Sequence, residues 1–146
     1  MKSHIKKIIN TSLIILLSVF LYSCSTKTGE NKIESTFDYL RFINNKEFTL
    51  DSNKSITIGF KDGRLSGSSV INLYMGSYEI YLENNNLFLN INLAGSTMKA
   101  GPKDDMEKEI DYLKSIEGKH PFYIDRLNNK IEISNFKFSF SKEIKN

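Results

Sequence analysis

Few side chains in this sequence have the chemistry that catalysis needs. The chain has one cysteine, Cys24, and His120 is its only histidine after residue 23. A hydrolase would need His120 beside a carboxylate and a hydroxyl, and no partner motif accompanies it. Its place between a predicted helix end and Pro121 favours a solvent-facing side chain, because partial positive charge is favourable there. We therefore expect no enzymatic activity, no catalytic residue, no cofactor and no metal site.

Paired carboxylates occur at Asp104-Asp105 and at Glu107 and Glu109. Such pairs can serve as general acid and base in catalysis. These four residues, however, lie in the first turns of a predicted helix, where the helix dipole stabilises negative charge. We interpret Asp104 or Asp105 as the helix cap and Glu109 as a buried hydrogen-bond acceptor.

The single cysteine follows a segment that is typical of secretion. A basic start at Lys6-Lys7 precedes an apolar run from Ile8 to Tyr22. The strongly apolar part is shorter than the ~20 residues that span a bilayer, which disfavours the alternative of an uncleaved membrane anchor. The segment ends in Leu21-Tyr22-Ser23-Cys24, which resembles the lipobox where bacterial lipoproteins are cleaved and lipidated. We predict a lipoprotein signal peptide over residues 1–23 and lipidation of Cys24.

Lipidation of Cys24 would determine where the protein is located and whether its only cysteine can form a disulfide. Two or three acyl chains, at ~0.8 kcal/mol per buried methylene, hold a domain at a membrane without a transmembrane helix. With its only cysteine modified by palmitate or a similar chain, the domain could form no internal disulfide. We expect a cell-envelope protein that contacts the membrane through lipid on Cys24. In a Gram-negative cell this would be the periplasmic side of the outer membrane, because Ser25 is not the Asp associated with inner-membrane retention.

The formal net charge of +3 does not indicate nucleic-acid binding. Lys2, Lys6 and Lys7 belong to the leader, and no acidic residue precedes Glu30. Without residues 1–23 the chain carries 17 basic and 17 acidic side chains. A balanced domain has no charge excess with which to hold phosphates, so we expect no nucleic-acid partner.

Residues 24–36 are polar and predict a lipidated tether, and a single domain should extend over residues 37–141. Alternating apolar residues predict strands over residues 55–60, 78–82 and 87–93, with a hairpin turn at Asp62-Gly63. From Pro102 the period changes to that of a helix, which Gly118 should end. Three more short strands follow, separated by turns.

This order of elements predicts an α+β fold. We expect a curved antiparallel sheet or an incomplete β-barrel, packed by one main helix in the C-terminal half of the chain. The stripe of Phe136, Phe138 and Phe140 should form part of the sheet core, with the lining of a lipid-binding cavity as the alternative.

Periodicity does not explain the stretch from Gly67 to Tyr78. Its glycines and asparagine suit tight backbone geometry, and its tyrosines suit a core with one hydrogen bond each. A binding surface made from Asn72, Tyr74 and Tyr78 is the alternative. We favour a structural role, with Asn72 capping local amides.

Three motifs occur in a fixed order along the chain. The first follows the form Gly-x-x-Gly-Cys-Asn-x-Tyr-x-Gly-x-Tyr and is matched at Gly67, Asn72, Tyr74, Gly76 and Tyr78. The second follows Thr-x-Met-Ala-Cys-Pro and is matched at Thr97, Ala100 and Pro102, and a helix pattern that contains Glu109 comes next. In these residues the chain resembles the META domain of HslJ-type heat-shock lipoproteins. The resemblance implies that they form a structural signature.

The chain departs from the pattern at both of the family's usual cysteines. Ile71 and Gly101 stand at those positions, and Val70 replaces a glycine of the first motif. Loss of both cysteines together fits loss of a cross-link. We expect the Cα atoms of Ile71 and Gly101 to lie within about 7 Å of each other, as in bridged pairs.

The resemblance also implies a function, by analogy with the family alone. We expect a non-enzymatic role in envelope stress tolerance or assembly through contacts with an envelope protein. The alternative is a half-barrel that carries a small hydrophobic ligand or lipid at the membrane surface. A large interior cavity lined by Phe and Leu would favour that alternative, and a filled interior would not.

Overall fold

The computed structural model describes residues 36–145. The predicted signal peptide, Cys24 and the tether up to residue 35 lie outside the described residues. The described chain contains helices α1 (Thr36–Ile43) and α2 (Lys103–Ile116). Its strands are β1 (Lys46–Leu50), β2 (Thr57–Lys61), β3 (Arg64–Ser69), β4 (Asn72–Glu83), β5 (Asn86–Ser96), β6 (Gly118–Asp125), β7 (Lys130–Ile133) and β8 (Phe136–Glu143). No helix within this range is long and apolar enough to cross a membrane.

The eight strands form a closed antiparallel barrel in chain order. The antiparallel sheet was predicted, but the incomplete barrel is wrong, because β1 pairs with β8 from Lys46 opposite Glu143 to Leu50 opposite Phe138. Closure means that neither the first nor the last strand forms a free outer edge of the sheet. Local patterns indicate each strand but not the pairing of the first strand with the last.

Alternation correctly predicted which side chains face the interior. Ile58 and Phe60 of β2 and Leu89 and Ile91 of β5 are all fully buried. The hairpin turn at Asp62-Gly63 is also confirmed, and both residues have positive φ values of 48° and 77°. That geometry suits the right-handed twist of the two strands that the turn connects.

Helix α1 was not predicted, so the expectation of one main helix is incomplete. Ile43 is fully buried, and Leu40 and Phe42 pack against the core. A helix of eight residues is marginal by itself, and this packing stabilises it. Helix α1 covers one end of the barrel, which we call the α1 end. The β2–β3, β4–β5 and β6–β7 turns lie at the same end, because the strands alternate in direction.

Helix α2 covers the opposite end, which we call the α2 end, and buries Tyr112 and Ile116. It ends before Gly118, as predicted, and the φ of Gly118 is +93°. The predicted aspartate cap is wrong. Pro102 occupies the N-cap position without a side-chain hydrogen bond, and Asp104 and Asp105 lie in the first turn. There they still favour the helix through its dipole.

The barrel interior is filled by apolar and aromatic side chains that form one cluster. Edge-to-face ring contacts connect Phe60 with Tyr78 at 5.0 Å and Phe48 with Phe60 at 6.1 Å. Of the phenylalanine stripe, Phe138 is fully buried, Phe136 is half-buried and Phe140 is partly exposed. Its inner part therefore belongs to the core.

Candidate functional site

The stretch from Gly67 to Tyr78 is a hairpin at the α2 end. It comprises the end of β3, a turn at Val70-Ile71 and the start of β4. Val70 has a φ of 52°, in the left-handed region that β-branched residues disfavour. This is the position where the family pattern has glycine, and the half-buried Val70 side chain packs against the core.

Asn72 is the centre of a buried polar cluster beside this turn. Its Nδ2 donates to Glu109 Oε1 at 2.7 Å and to the Lys99 carbonyl at 3.3 Å. Its Oδ1 accepts from the Thr97 hydroxyl at 2.9 Å and from the Lys99 amide at 2.7 Å. The side-chain amide thus uses both of its donors and both acceptor sites. It joins β4 to the β5–α2 connection and to α2, whereas the sequence predicted a local cap.

Glu109 extends from α2 to the hairpin turn. Its Oε2 accepts from the backbone amides of Ile71 at 3.1 Å and Asn72 at 2.9 Å. Burial raises the pKa of this carboxyl, but the hydrogen bonds from Asn72, Ile71 and Ser69 outweigh burial and lower the pKa below its usual value. The ionised carboxylate is therefore a structural acceptor for the two backbone amides at the hairpin turn.

A second buried pair, Tyr74 and Tyr112, lies beside the polar cluster. Their hydroxyls share a hydrogen bond of 2.9 Å, and Tyr74 also donates to the Thr57 carbonyl at 2.8 Å. Burial raises the pKa of both phenols far above the usual value, so both stay neutral. Gly67 leaves room for this contact, because a Cβ there would overlap the Thr57 carbonyl and lie 2.8 Å from Tyr74.

The β2–β3 ladder is interrupted next to Gly67. Backbone pairing of these strands stops at Gly59 opposite Ser66. Beyond that point side chains connect them: the Thr57 hydroxyl accepts from the Ser68 amide at 3.1 Å, and the Ser68 hydroxyl donates to the Ser55 carbonyl at 2.8 Å. We call this interruption the seam.

The remaining signature residues also lie at close backbone or loop contacts. A Cβ on Gly76 would overlap the Asn92 carbonyl, next to the bulge in the β4–β5 ladder. A Cβ on Gly101 would overlap the Ile71 side chain, so Ile71 fills the space beside Gly101. Ala100 and Pro102 are exposed in the connection that leads to α2. Tyr78 is buried in the core.

His120 lies half-buried in β6, and its Nε2 is 2.9 Å from the Glu117 carbonyl oxygen. Within residues 36–145, no group of three or more His, Cys, Asp and Glu side chains is placed to hold a metal ion. The absence of enzymatic activity stays a prediction.

Two grooves on the outer surface could receive a partner. One, of about 680 Å³, lies at the α1 end and includes Tyr39, Phe88, Tyr123 and Leu127 in its lining. The other, of about 480 Å³, lies over the seam, with Leu73 and Met75 at its side. Both side chains are more than half exposed.

The protein is therefore a small β-barrel with a helix over each end. The signature residues hold one of these helices, α2, in place. The chain belongs to the META domain family, whose model matches residues 34–137. A protein from Burkholderia xenovorans, solved by NMR, has a similar fold with a TM-score of 0.52 at 19% identity. The match covers 71% of this chain and 87% of that protein. No curated protein matches the chain.

Sequence reasoning missed several partners in this region. Tyr112 was matched only to the helix pattern of the family, and its hydroxyl contact with Tyr74 was not foreseen. Thr57 was assigned only to a strand, although its carbonyl and hydroxyl both connect the seam. The sequence offered two signals, the alternating run of residues 55–60 and the glycine at position 67, and neither specifies a partner far away in sequence.

Proposed function

We propose that this protein is a bacterial envelope lipoprotein whose META domain acts without catalysis. The lipid on Cys24 would hold the domain at a membrane, and the domain would support envelope stress tolerance or assembly through protein contacts. The observation that carries the anchoring is the single cysteine, placed where an apolar leader ends in Leu21-Tyr22-Ser23-Cys24. The stress role rests on analogy with the family.

The hydrogen bonds made by the buried polar side chains support a non-catalytic role. Asn72, Glu109 and Tyr74 are the most chemically capable buried groups of the signature, and each is saturated by structural hydrogen bonds. A catalytic group needs a substrate within hydrogen-bond reach, whereas these groups face one another. Their arrangement suits a rigid support for an outer surface.

The outer surface of β4 is the part of the barrel that we assign to protein contact. Leu73 and Met75 are 56% and 59% exposed and lie beside the groove over the seam. Exposed apolar side chains beside a groove are typical of protein interaction sites, and methionine adapts to varied partners. The filled interior favours such a surface over the alternative of a ligand carried inside the barrel.

Fractionation of cells tests the anchoring. Cys24→Ala should move the protein from the membrane to the soluble fraction, because no thioether can form. Ser25→Ala, which changes the next residue and leaves the sulfur, is the matched control and should stay with the membrane. Retention of the Cys24→Ala protein in membranes would contradict the lipoprotein assignment.

Photo-cross-linking in living cells tests the contact surface. A photoreactive residue at Leu73 should capture a discrete envelope protein, while one at the exposed Lys137 on β8 should not. Capture of a lipid at Leu73 in place of a protein would favour the carrier alternative. Equal capture at both positions would contradict a specific surface on β4.

A further inference from the structure

Strand β6 extends further than its neighbour β5 at the α1 end of the barrel. The ladder between the two strands ends at Phe88 opposite Pro121, and β5 begins only two residues before Phe88, at Asn86. Strand β6 continues for four residues to Asp125 and pairs there with β7 alone. Among the described residues, the side of β6 that faces away from β7 therefore has no ladder partner beyond Pro121. We call this side of residues 122–125 the open edge.

The alternation of the ladder shows which backbone groups lie on the open edge. The Pro121 carbonyl accepts from the Ser134 amide at 3.0 Å, so the backbone polar groups of Pro121, and of Tyr123 two residues later, face β7. In an antiparallel pair, successive residues point these groups to opposite sides of the strand. The N–H and C=O groups of Ile124 therefore face the open edge, where a further strand could bond to them.

The open edge borders the groove of about 680 Å³, whose lining includes Phe122, Ile124 and Asp125. This volume lies within the ~300–1,000 Å³ that is typical of ligand sites. Tyr123 and Leu127 also line the groove and are 64% and 95% exposed. An incoming strand would gain cross-strand contacts with these side chains in addition to backbone hydrogen bonds.

The open edge lacks the features with which proteins usually block the addition of a strand, namely lysine, proline or a bulge. Residues 122–125 read Phe-Tyr-Ile-Asp, and the first three have high strand propensity. The carboxylate of Asp125 accepts from the backbone and side chain of Asn128. Among the described residues, Asp125 and Arg126 are the only charged residues in the groove lining, so the lining is neutral overall. A neutral lining favours an uncharged extended segment over an acidic or basic one.

We propose that the open edge binds an uncharged, extended segment of another protein, which adds a short strand to β6 in the space beyond Phe88. The segment bonds to the backbone of Ile124 and places β-branched or aromatic side chains beside Tyr123. This site is separate from the β4 surface proposed above, because Leu73 lies at the α2 end. It does not depend on the lipid at Cys24.

Hydrogen exchange of single amides, followed by NMR, tests the open edge in the full chain purified from membranes in detergent. The probe is a heptapeptide of alternating threonine and valine with blocked termini, and the matched control peptide has proline in place of the central valine. Without peptide, the Ile124 amide should exchange at least about tenfold faster than the Tyr123 amide, which bonds to β7. Saturation with the probe should slow exchange at Ile124 about tenfold and leave Tyr123 unchanged.

Substitutions measure how much the backbone and the side chains of the open edge contribute to binding of the labelled probe. Ile124→Pro removes the amide that faces the groove and should weaken the affinity about tenfold. Tyr123→Ala keeps the backbone and should weaken it about two- to fivefold through lost cross-strand contact. Leu73→Ala at the α2 end is the matched control and should bind like the wild type. Circular dichroism checks folding, and Tyr123→Ala alone decides the test if Ile124→Pro does not fold.

Three results would overturn the proposal. Slow exchange at Ile124 without peptide would show that the edge is already occupied, by a second copy if the protection grows with protein concentration and by the chain itself if it does not. Failure of the probe to bind at millimolar concentration, or equal binding of the proline control, would show that no strand is added. Equal loss of affinity in Tyr123→Ala and Leu73→Ala would place the probe elsewhere on the barrel.

Discussion

The two ends of the barrel are closed by helices that are held in different ways. At the α2 end, Glu109 and Asn72 fix the helix through short, buried and directional hydrogen bonds. At the α1 end, Ile43 and its apolar neighbours pack against the core, and the polar contacts are exposed. There the buried Oδ1 of Asn45 has no hydrogen-bond partner among the described residues. Directional hydrogen bonds therefore hold the helix at the α2 end, whereas apolar burial holds the helix at the α1 end.

This difference has an energetic consequence. Removal of one partner from a buried hydrogen-bond network leaves the others unpaired at full desolvation cost, whereas water replaces an exposed partner. Several signature residues of the family, among them Asn72, Thr97 and Glu109, lie at the α2 end, where a substitution should affect several hydrogen-bonded neighbours. Three measurements test this contrast.

The largest effect is expected from Asn72→Ala. It leaves Glu109, Thr97 and the Lys99 backbone without a common partner, and should lower the free energy of unfolding by about 3 kcal/mol. Urea denaturation measures the change. The matched control is Asn44→Ala at the α1 end, where Asn44 exchanges two exposed hydrogen bonds with Asp62. That loss should stay below about 1 kcal/mol, and equal losses would remove the contrast.

An intermediate effect is expected from Tyr74→Phe. The substitution removes a hydroxyl that contacts both Tyr112 and the Thr57 carbonyl, and should cost about 2 kcal/mol of unfolding free energy. Tyr112→Phe is the control, because it keeps the bond from Tyr74 to Thr57 and should cost about 1 kcal/mol less. A double-mutant cycle in urea measures the coupling. Zero coupling would show that the hydroxyl pair contributes nothing.

The smallest effect is the dependence of stability on pH. Hydrogen bonds lower the pKa of Glu109 in the folded state, so its contribution is complete above its usual value of 4.5 and is lost as pH falls through the folded pKa. As the pH falls from neutral to below 4.5, the difference in stability by which the wild-type protein exceeds Glu109→Gln should therefore become smaller. Thermal unfolding across this range measures the difference. A constant or widening gap on acidification would contradict the lowered pKa.

Much of the barrel was predictable because its strands alternate regularly. Ile58, Phe60, Leu89 and Ile91 show a period of two, and each lies inside as expected. Helix α2 was predictable from the change to helical spacing after Pro102, although Met106 and Ile110, which continue that spacing, are 40% and 47% exposed. The META resemblance, which rests on motif order, was confirmed by the family match.

Other features depend on contacts between distant parts of the chain. Helix α1 is too short to give a clear apolar period. It forms because Leu40, Phe42 and Ile43 pack against the core at the end of the barrel. Closure depends on β8 returning beside β1. Asn72 was expected to bond locally, because sequence patterns do not show that Lys99 and Glu109 approach it.

The seam beside Gly67 bears on how the barrel moves. The β2–β3 backbone ladder stops at Gly59 opposite Ser66, and beyond it the hydroxyls of Thr57, Ser68 and Tyr74 carry the connection. Side-chain bonds break singly, without the cooperativity of a ladder. The barrel thus has a preferred place for local opening, and solvent deuterium should reach the Ser68 amide before it reaches the amides of the long β4–β5 ladder.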